Sequence, residues 1–488
     1  MGNSELEVAL TGSMRDYRHI PGANLVDRVQ AFYDWQQARR DAGLWPLGRS
    51  TEMGPHSKCQ ARTDEGDLFE GVNFASQDYL SLSSHPDVRA VAIETIQEFG
   101  VHSAGSPALV GNTSLSLALE RKIGEFLKAE HVSLFPTGWA AGFGVIKGLV
   151  RPNDHIVMDV LAHACLQEGA QAATKNVHLF RHNNVEMARE KLEKIRATDT
   201  QNGILLVTEG LFSMDSDTPE IEALQTLAHE FNATLVVDVA HDLGSLGADG
   251  RGHIGIQNMI GKVDVIMGSF SKTFASNGGF VACKSRAVKE YMRYYSSPNT
   301  FSNAMSPASA AIVGKCFDIV DSEEGARLRT KLMSNIVMLR ELLNGCNLET
   351  YGDPSPIVCV KMGHESLARL VSRRLPATGL LANLVEFPAV PKGRARFRLQ
   401  VMANHTHRDV MDAVHRLTTA TAAGQGEDDA LRNGTMTLNQ LEPQVYMPQD
   451  RAAADVSSLN ASPMTRLRAA ATGAAVQDGG EYRKASNG

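Results

Sequence analysis

The sequence predicts an α/β fold, with a mostly parallel central sheet that carries helices on both faces and a smaller C-terminal α+β domain. Short β-branched runs alternate with helical patterns through the middle of the chain, which is typical of βαβ units. After Pro307 this alternation gives way to a long helical region and two further strands. The 488 residues, of which 43% are hydrophobic, are enough for a large core and for two or more domains.

The chain divides into four predicted segments. They are an N-terminal leader at 1–67, a large domain at 68–307, a small C-terminal domain at 308–423 and a low-complexity, flexible tail at 424–488. The leader is predicted to form one amphipathic helix, because Leu25, Val29, Phe32 and Trp35 recur at helical spacing before Gly43. The tail is rich in Ala, Gly, Ser, Asn and Asp and shows little periodicity, so we expect no packed core there.

The predicted elements follow in order. Six strands are expected in the large domain: "HVSLF", "HIVMD", "ILLVT", "TLVVD", "VDVIMG" and "GFVAC". Helices such as "VEMAREKLEKIRA" and "EIEALQTLAHEF" lie between them. In the small domain the helices "ASAAIVGKCFDIV" and "GARLRTKLMSNIVMLRELLNG" precede the strands "PIVCVKMG" and "ARFRLQVM".

Composition excludes several classes of function. The net charge of −7 and the absence of a basic stripe argue against a nucleic-acid partner. The sequence has no run of about 18 apolar residues and its N-terminus has no apolar signal region, so we expect neither a membrane span nor a secretory signal. Six scattered cysteines without short paired spacing indicate reduced thiols in a cytoplasmic protein, with no metal site.

Lys272 lies in a polar, glycine-rich stretch, "SFSKTFASNGG", directly after the apolar strand "VDVIMG". Ligands of open α/β sheets bind at the carboxyl ends of the strands. Ser269, Ser271 and Thr273 offer hydroxyls to an anion, and a lysine held in a cleft can form a Schiff base with a carbonyl group. An ordinary loop lysine is the alternative on this stretch alone. The stretch favours a nucleophilic amine beside an anion site, which is what pyridoxal phosphate requires.

Asp238 ends the apolar strand "TLVVD", and His241 follows three residues later. A buried carboxylate must be paired with a cation, and the protonated ring nitrogen of pyridoxal phosphate is one. A helix-capping aspartate is the alternative. A histidine that follows a buried aspartate at a strand end is a candidate for the same pocket.

Two further strand ends complete a candidate pocket. The "FPTGWAAGFG" stretch places Gly138 and Trp139 between a strand and an Ala/Gly-rich helix, whose N-terminal N–H groups favour a phosphate. In "VMDVLAHACLQEG", His163 follows another strand and its flat ring could stack on a flat cofactor. A capping or surface histidine is an equally good interpretation of this stretch by itself.

From about Asn73 to Ala420 the chain resembles the α-oxoamine synthases, which are fold-type I pyridoxal phosphate enzymes. This group includes serine palmitoyltransferase, 2-amino-3-ketobutyrate CoA ligase, 8-amino-7-oxononanoate synthase and 5-aminolevulinate synthase. The matching stretches, in the family's order and at similar spacing, are "NFASQDYLSLSSHP", "GNTSLSLALE", "TEGLFSMDSD", "DVAHDLGSLGADGRG", "GSFSKTFASNGG", "FSNAMSP" and "RFRLQVMANHT".

The resemblance implies a role for each candidate residue. It makes Lys272 the Schiff-base lysine and acid/base, Asp238 the partner of the ring nitrogen, His241 a donor to the cofactor and the substrate carbonyl, and His163 the residue that stacks on the ring. The implied phosphate and pocket contacts are Gly138, Trp139, Ser213 and Ser269, with Ser302 and Asn303 reaching across a homodimer interface. Arg398 is implied to bind the amino-acid carboxylate, with Arg396 as the competing arginine and a surface arginine as the plainer interpretation.

The activity that the resemblance implies is a decarboxylating acyl transfer. A small amino acid (Gly, Ala or Ser) condenses with an acyl thioester and loses CO2, which gives an α-amino ketone. The alternatives are another fold-type I enzyme, such as an aminotransferase or a lyase, and a homologue that supports a catalytic partner. The leader helix is expected to pack peripherally, although packing on the partner subunit or gating of an acyl channel stays open.

Several positions depart from the family pattern. These are Gln77, Ser81, Pro107, Ser116, Val239 and Asp242. Gln77 and Ser81 lie in a stretch that lines the amino-acid side in some members, so Gln77 is a candidate substrate contact. Pro107 and Asp242 make the acyl-CoA side unusual, and we therefore expect an acyl carrier protein as one possible source of the thioester.

Overall fold

The structure is a computed structural model that describes residues 8–444 and Tyr446. Its strands are β1 (Ser50–Thr51), β2 (Lys58–Arg62), β3 (Leu68–Asn73), β4 (His131–Phe135), β5 (His155–Asp159), β6 (Val177–Phe180), β7 (Ile204–Glu209), β8 (Thr234–Asp238), β9 (Val265–Ser269), β10 (Gly279–Cys283), β11 (Thr350–Tyr351), β12 (Ile357–Gly363), β13 (Leu380–Leu381), β14 (Asn383–Val385) and β15 (Ala395–Gln400).

The helices are numbered separately. They are α1 (Gln30–Asp41), α2 (Pro86–Phe99), α3 (Ser114–Leu127), α4 (Gly138–Leu149), α5 (Ala164–Ala173), α6 (Val185–Arg196), α7 (Ile221–Glu230), α8 (Gly252–Ile256), α9 (Arg286–Tyr295), α10 (Ser297–Thr300), α11 (Pro307–Val320), α12 (Glu323–Gly345), α13 (Glu365–Thr378) and α14 (His407–Arg432). Within the described residues, no helix combines the length and the apolar character needed to cross a membrane.

The central sheet has seven strands in the order β4-β10-β9-β8-β7-β5-β6. Its pairings are parallel except for the two that β10 makes, with β4 and with β9. The prediction of a mostly parallel sheet is confirmed, and all six predicted strands belong to it. The sequence analysis missed β6, a four-residue edge strand in which only Phe180 is buried, so that it lacks the continuous apolar run of its neighbours.

Both faces of this sheet are covered, because alternate residues of one strand point to opposite sides. In β8, Leu235 and Val237 pack in an apolar cluster that also contains Leu192 of α6 and Leu224 of α7. Val236 lies between them and packs in a second cluster with residues of α4 and α5. Burial of each such side chain contributes roughly 1.5–3 kcal/mol, so the two helix layers hold the sheet rigid.

The small domain is built on an antiparallel sheet of four strands, β11-β12-β15-β14. A third sheet, β1-β2-β3-β13, connects the strands that precede the central sheet to the small domain, because β13 pairs in parallel with β3. The predicted boundary at 67/68 therefore differs from the structure, since β3 hydrogen-bonds to the small domain rather than to the central sheet. These strands are short and only partly apolar, so hydrophobic patterning gave little signal for them.

The last helix, α14, continues to Arg432, beyond the predicted end of the small domain at 423. Its final turns are polar in composition, and one side of them is buried. Glu427 and Asp428 are buried, and Glu427 accepts a 2.6 Å hydrogen bond from Arg374 of α13. The first part of the predicted tail is thus packed on the small domain, and most of the remaining tail lies outside the described residues.

The leader helix α1 begins at Gln30, after a 3₁₀ turn at Asp27–Val29, which is later than predicted. Asn24 accepts a 2.9 Å bond from the Val26 N–H group, and this local turn keeps Leu25 outside the helix. Of the four apolar residues that predicted the helix, Trp35 is buried, whereas Leu25 and Val29 are exposed. The predicted apolar face is therefore correct only in its second half.

A buried cluster of charges attaches the leader to the small domain. Glu386, which follows β14, accepts a 3.1 Å bond from Arg39 of the leader and a 2.7 Å bond from Arg369 of α13. Neither guanidinium side chain is accessible to solvent. Arg369 also donates to the carbonyl of Gly12 at 2.7 Å. Burial and the charge of Arg369 lower the pKa of Arg39 to about 10, so this cluster depends on its single carboxylate.

We predict that Glu386→Gln releases the leader, because two buried guanidinium groups lose their counter-charge. The loss of one partner of a buried ion pair costs about 3 kcal/mol, which corresponds to a roughly 100-fold loss of protection against hydrogen exchange. Hydrogen exchange of residues 8–44 measures this loss.

The matched control is Glu323→Gln on α12, where an exposed glutamate lies 3.8 Å from Arg327. Exposed pairs contribute little, so protection of the leader should be unchanged in this variant. Equal protection in Glu386→Gln and Glu323→Gln would contradict the assigned role of Glu386.

Candidate active site

The strands β5, β7, β8 and β9 are adjacent and parallel, so their carboxyl ends meet at one edge of the sheet. They end at Asp159, Glu209, Asp238 and Ser269, all of which are buried. Glu209 and Asp238 are direct register partners. Lys272 follows Ser269 closely in the chain. Ligands of open α/β sheets bind at such an edge, and most of the predicted site residues lie along it.

Lys272 and Asp238 form the electrostatic centre of this edge. Burial lowers the pKa of Lys272, while Asp238 and Glu209 oppose the shift. Burial also raises the pKa of Asp238, against the opposing effects of Lys272 and His163. Asp238 Oδ1 accepts a 2.8 Å bond from the Ala240 N–H group, and no donor among residues 8–444 reaches Oδ2. One oxygen of a buried carboxylate is therefore left for a cation.

His163 caps the N-terminus of α5 and lies beside Cys165. The Cys165 N–H group donates to His163 Nδ1 at 3.3 Å, and Cys165 Sγ lies 3.0 Å from the same nitrogen. Desolvation lowers the pKa of His163, so its imidazole is neutral near pH 7. Because Nδ1 accepts these bonds, Nε2 carries the ring proton. Cys165 thus fixes the tautomer, and the sequence analysis did not assign it this role.

Glu209 also belongs to the candidate site, although it was not among the residues predicted from the sequence. Its carboxylate accepts a 2.5 Å bond from the backbone N–H group of His163, and this contact fixes the start of α5 against the end of β7. Burial and the neighbouring Asp238 raise the pKa of Glu209 well above its ordinary value. The signal that identified Asp238, an acidic residue at the end of an apolar strand, is also present in "ILLVTE".

His241 is buried and hydrogen-bonded to Tyr79, whose hydroxyl lies 2.9 Å from His241 Nδ1. Burial lowers the pKa of His241 well below its ordinary value, and the charges of Lys272 and Arg398 act in the same direction. The imidazole is therefore neutral. Sequence reasoning assigned no role to Tyr79, because its partner lies 162 residues away in the chain.

The N-terminus of α4 and the end of β9 form a compact polar cradle. A Cβ atom on Gly138 would overlap the hydroxyl of Ser269, so only glycine allows the two segments to approach this closely. The hydroxyls of Ser269 and Ser271 lie 2.7 Å apart. The N–H groups of Gly138 and Trp139 precede the first helical hydrogen bond, so they are free to bind an anion.

Trp139 itself is half-exposed. Its indole stacks on Phe143, one turn further along α4, with 5.2 Å between the ring centroids. Its side chain is thus held on the surface of α4, while its backbone belongs to the cradle.

The structure distinguishes the two candidate arginines on β15. Arg396 is buried and forms a 2.6 Å ion pair with Asp215, so its charge is already matched. Arg398 donates a 3.1 Å bond to the carbonyl of Ser213 and lies 3.9 Å from the Met214 sulfur. Its Nε atom is buried and has no hydrogen-bond partner in the described part of the chain. Arg398 is therefore the arginine with donors left for a ligand, and Ser213 contacts it through its backbone.

Three of the predicted site residues make no hydrogen bond to the described residues around Lys272 and Asp238. Ser302 and Asn303 lie after α10, and Asn303 hydrogen-bonds to His102 at 3.1 Å. Gln77 shares a loop with Tyr79 and is partly buried. Within residues 8–444 the Gln77 side chain makes no hydrogen bond.

Asp242 does not face the ligand edge, contrary to the expectation that it alters the acyl side. It is fully buried, and its Oδ2 atom accepts a 2.7 Å bond from the His253 N–H group. Burial raises its pKa. Asp242 closes the loop before α8, so of the two departures only Pro107 still concerns the acyl substrate.

The residues at this edge fit pyridoxal 5'-phosphate. The unpaired oxygen of Asp238 suits a protonated ring nitrogen, Lys272 suits the carbonyl carbon, and the cradle of Gly138 and Ser269 suits the phosphate. His163 lies beside the same carboxylate, and the two act on each other's pKa.

Comparison with known proteins agrees with this fit. Residues 70–417 match the family described as Aminotransferase class I and II. The chain is 33% identical over 341 residues to the 8-amino-7-oxononanoate synthase of Thermoanaerobacter pseudethanolicus. That alignment covers 70% of this chain and 85% of the relative. It is 31% identical over 404 residues to the serine palmitoyltransferase of Bacteriovorax stolpii. That alignment covers 83% of this chain and 92% of the relative.

The fold comparison gives the same result. A solved structure described as SPT with PLP as internal aldimine superposes with a TM-score of 0.77 at 25% identity and covers 82% of this chain and 99% of that one. The chain therefore belongs to the α-oxoamine synthases, the pyridoxal phosphate-dependent acyltransferases within the class I and II aminotransferase family.

Proposed function

We propose that the protein condenses glycine, alanine or serine with an acyl thioester and releases CO2, which gives an α-amino ketone. The observation that carries this proposal is the neutral His241, held by Tyr79 and acted on by the charges of both Lys272 and Arg398. A neutral donor between a reactive lysine and a carboxylate-binding arginine suits a reaction in which an acyl carbonyl oxygen gains negative charge.

Arg398 is proposed to bind the carboxylate of the amino acid. Its buried Nε and its remaining guanidinium donors can form a two-point contact, which fixes the direction of the carboxylate. The Ser213 carbonyl holds the guanidinium from the other side. The amino group of the substrate is thereby directed toward Lys272.

The bound cofactor supplies an electron sink for the negative charge that develops at the substrate α-carbon. Lys272 attaches the cofactor and then moves the proton at the α-carbon, and its lowered pKa makes the neutral amine available. Asp238 holds the positive charge on the ring. His163, neutral and fixed by Cys165, is proposed to lie against the ring face.

His241 is proposed to donate from Nε2 to the carbonyl oxygen of the thioester. In this arrangement the Tyr79 hydroxyl, 2.9 Å from Nδ1, is the proposed donor to Nδ1, and the ring proton is then on Nε2. Burial of both residues excludes water from this hydrogen bond. A hydrogen bond made only as the oxygen becomes negative lowers the barrier rather than merely tightening binding.

The thioester is proposed to be an acyl-CoA or an acyl group on a carrier protein. Pro107, where the family often has arginine, lies in a loop whose neighbours Leu109 and Val110 are 85% and 82% exposed. The loop at Pro107 is apolar and lacks the arginine that could bind the phosphates of CoA. This composition supports a carrier other than free CoA. We also propose a cytoplasmic location, which the six free cysteines support.

A homodimer with a shared active site is proposed from an exposed apolar surface. Val101, Leu109, Val110 and Phe301 are more than two-thirds exposed. They lie on two segments that are joined by the 2.8 Å bond from the Ala304 N–H group to the Gly105 carbonyl. Monomeric proteins rarely expose such a patch. The same surface carries Ser302 and Asn303, which are proposed to contact the phosphate of the partner subunit.

We predict that Lys272→Ala abolishes covalent attachment of pyridoxal phosphate and reduces turnover by at least about 1,000-fold. The reason is that Lys272 supplies the amine that attaches the cofactor and moves the proton. Absorbance after borohydride reduction measures attachment. Release of CO2 from glycine, alanine or serine, with acyl-CoA or acyl-carrier thioesters, measures turnover.

The matched control is Lys262→Ala, which removes an exposed lysine at the opposite end of β9 and should leave both measurements unchanged. CO2 release by the unaltered protein without any thioester, or amine transfer to a keto acid at a comparable rate, would contradict the proposed reaction.

We predict that Arg398→Lys weakens binding of the amino acid by about 10- to 100-fold, because a point charge cannot reproduce a two-point guanidinium contact. Titration of the cofactor-loaded protein with each amino acid, followed by absorbance, measures the dissociation constant. Arg394→Lys, at an exposed position just before β15, should have no effect. A larger loss in Arg396→Lys than in Arg398→Lys would transfer the role to Arg396.

We predict that Val110→Asp converts the dimer to a monomer, because a buried interface tolerates an unpaired charge poorly. The dimer dissociation constant should rise by more than about 100-fold, as measured by sedimentation. The control is Met411→Asp, which places the same charge at an exposed apolar position of α14. A Val110→Asp protein that stays dimeric would contradict the assigned surface.

A further inference from the structure

His182 connects two carboxylates, Asp159 at the edge of the candidate active site and Asp217 in a loop beside it. Its Nδ1 atom lies 3.0 Å from Asp159 Oδ1, and its Nε2 atom lies 2.9 Å from Asp217 Oδ2. Asp159 is the last residue of β5 and is completely buried. Asp217 lies in the loop at 210–218, which follows β7. The imidazole therefore joins the edge of the central sheet to this loop.

Both ring nitrogens of His182 face carboxylates, so both donate and the ring is an imidazolium. The two aspartates raise the pKa of His182 to about 10, against an opposing effect of burial. Asp159 is otherwise satisfied by the backbone N–H groups of Leu161 and Asn183, at 2.9 and 2.8 Å. The contact is therefore a charged bridge with little freedom to shift.

The bridge fixes the shape of the loop. The Phe212 N–H group donates to the Asp217 carbonyl at 2.9 Å, and the Ser216 N–H group donates to the Phe212 carbonyl at 2.9 Å. The ring of Phe212 meets the imidazole edge-to-face, with 4.5 Å between the centroids. His182 thus contacts the loop through both a carboxylate and an aromatic ring.

The other side of the loop holds the arginines of β15. The Ser213 carbonyl accepts from Arg398 at 3.1 Å, and the Met214 carbonyl accepts from Arg396 at 2.7 Å. The Ser213 contact is the single hydrogen bond to a protein oxygen that Arg398 makes within residues 8–444. A change in the position of Ser213 therefore moves the guanidinium directly.

We propose that His182 is a positioning residue for the amino-acid substrate, which acts through the loop at 210–218 to hold Arg398 in place. The inference rests on the proposed function in one respect, the assignment of Arg398 to the substrate carboxylate. His182 touches neither substrate nor cofactor, so its removal affects amino-acid affinity first. Attachment of the cofactor depends on Lys272 and Asp238 and is left intact.

The test compares His182→Gln with His155→Gln in the cofactor-loaded protein. His155 starts the same strand that Asp159 ends, and it is likewise bonded to an aspartate, with Nε2 at 3.0 Å from Asp199. Glycine, alanine and serine are titrated separately, and the amino acid that binds the unaltered protein most tightly is used. We expect His182→Gln to raise the dissociation constant about 10-fold, since a displaced binding group loses alignment with its ligand.

We expect His155→Gln to leave this constant unchanged. In steady state, His182→Gln should raise KM for the amino acid with little change in kcat and in cofactor affinity. Asp217→Asn removes the other end of the bridge and should give a similar loss. The double variant His182→Gln/Asp217→Asn should be no worse than either single change, because both act through one contact.

Any of the following results would overturn the inference. One is an unchanged dissociation constant in His182→Gln when Arg398→Lys weakens binding, which would leave the proposed function standing. Another is an equal loss in His155→Gln, or a fall in cofactor affinity parallel to the loss in His182→Gln, which would mark a structural role only. The third is unchanged binding in both Arg398→Lys and His182→Gln, which would also remove the substrate role of Arg398.

Discussion

The burial of the Asp238 carboxylate at the end of β8, with one hydrogen-bonded oxygen, is the constraint on which the candidate active site depends. Burial raises the pKa of Asp238, and Lys272, His163 and the hydrogen bond from the Ala240 N–H group oppose that shift, so its charge depends on a nearby cation. Lys272 follows β9, and the backbone of His163 is bonded to Glu209 at the end of β7; these two strands flank β8 in parallel. A protein that buries an acid in this way gains affinity for any ligand that brings a positive ring to it.

Three histidines of the structure show how local contacts decide the charge of one residue type. His241 faces a tyrosine hydroxyl and two cations, so it is neutral. His163 faces a thiol and a backbone N–H group, and it is also neutral. His182 faces two carboxylates and is protonated. The two histidines of the candidate site are uncharged, whereas the charged ring lies where it contacts a loop.

Much of the site was predictable from the sequence because polar residues interrupt long apolar strands. Lys272 and Asp238 each follow such a strand, and the parallel sheet brings their ends together. Tyr79 and Cys165 were not identified, since a contact across 162 residues or a thiol beside a histidine leaves no pattern. The sheet that joins β3 to β13 was missed for the same reason, because two-residue strands carry almost no periodicity.

The attachment of the leader to the small domain has a consequence for synthesis of the chain. Arg39 and its partner Glu386 are 347 residues apart. Likewise, β3 cannot pair with β13 until β13 has been synthesised. At a synthesis rate of about 5–20 residues per second, the leader emerges roughly 20–70 seconds before its binding site exists. During that interval Arg39 lacks the carboxylate that later pairs with it. The nascent chain must therefore keep an aromatic, cationic segment from associating elsewhere until the small domain has been synthesised.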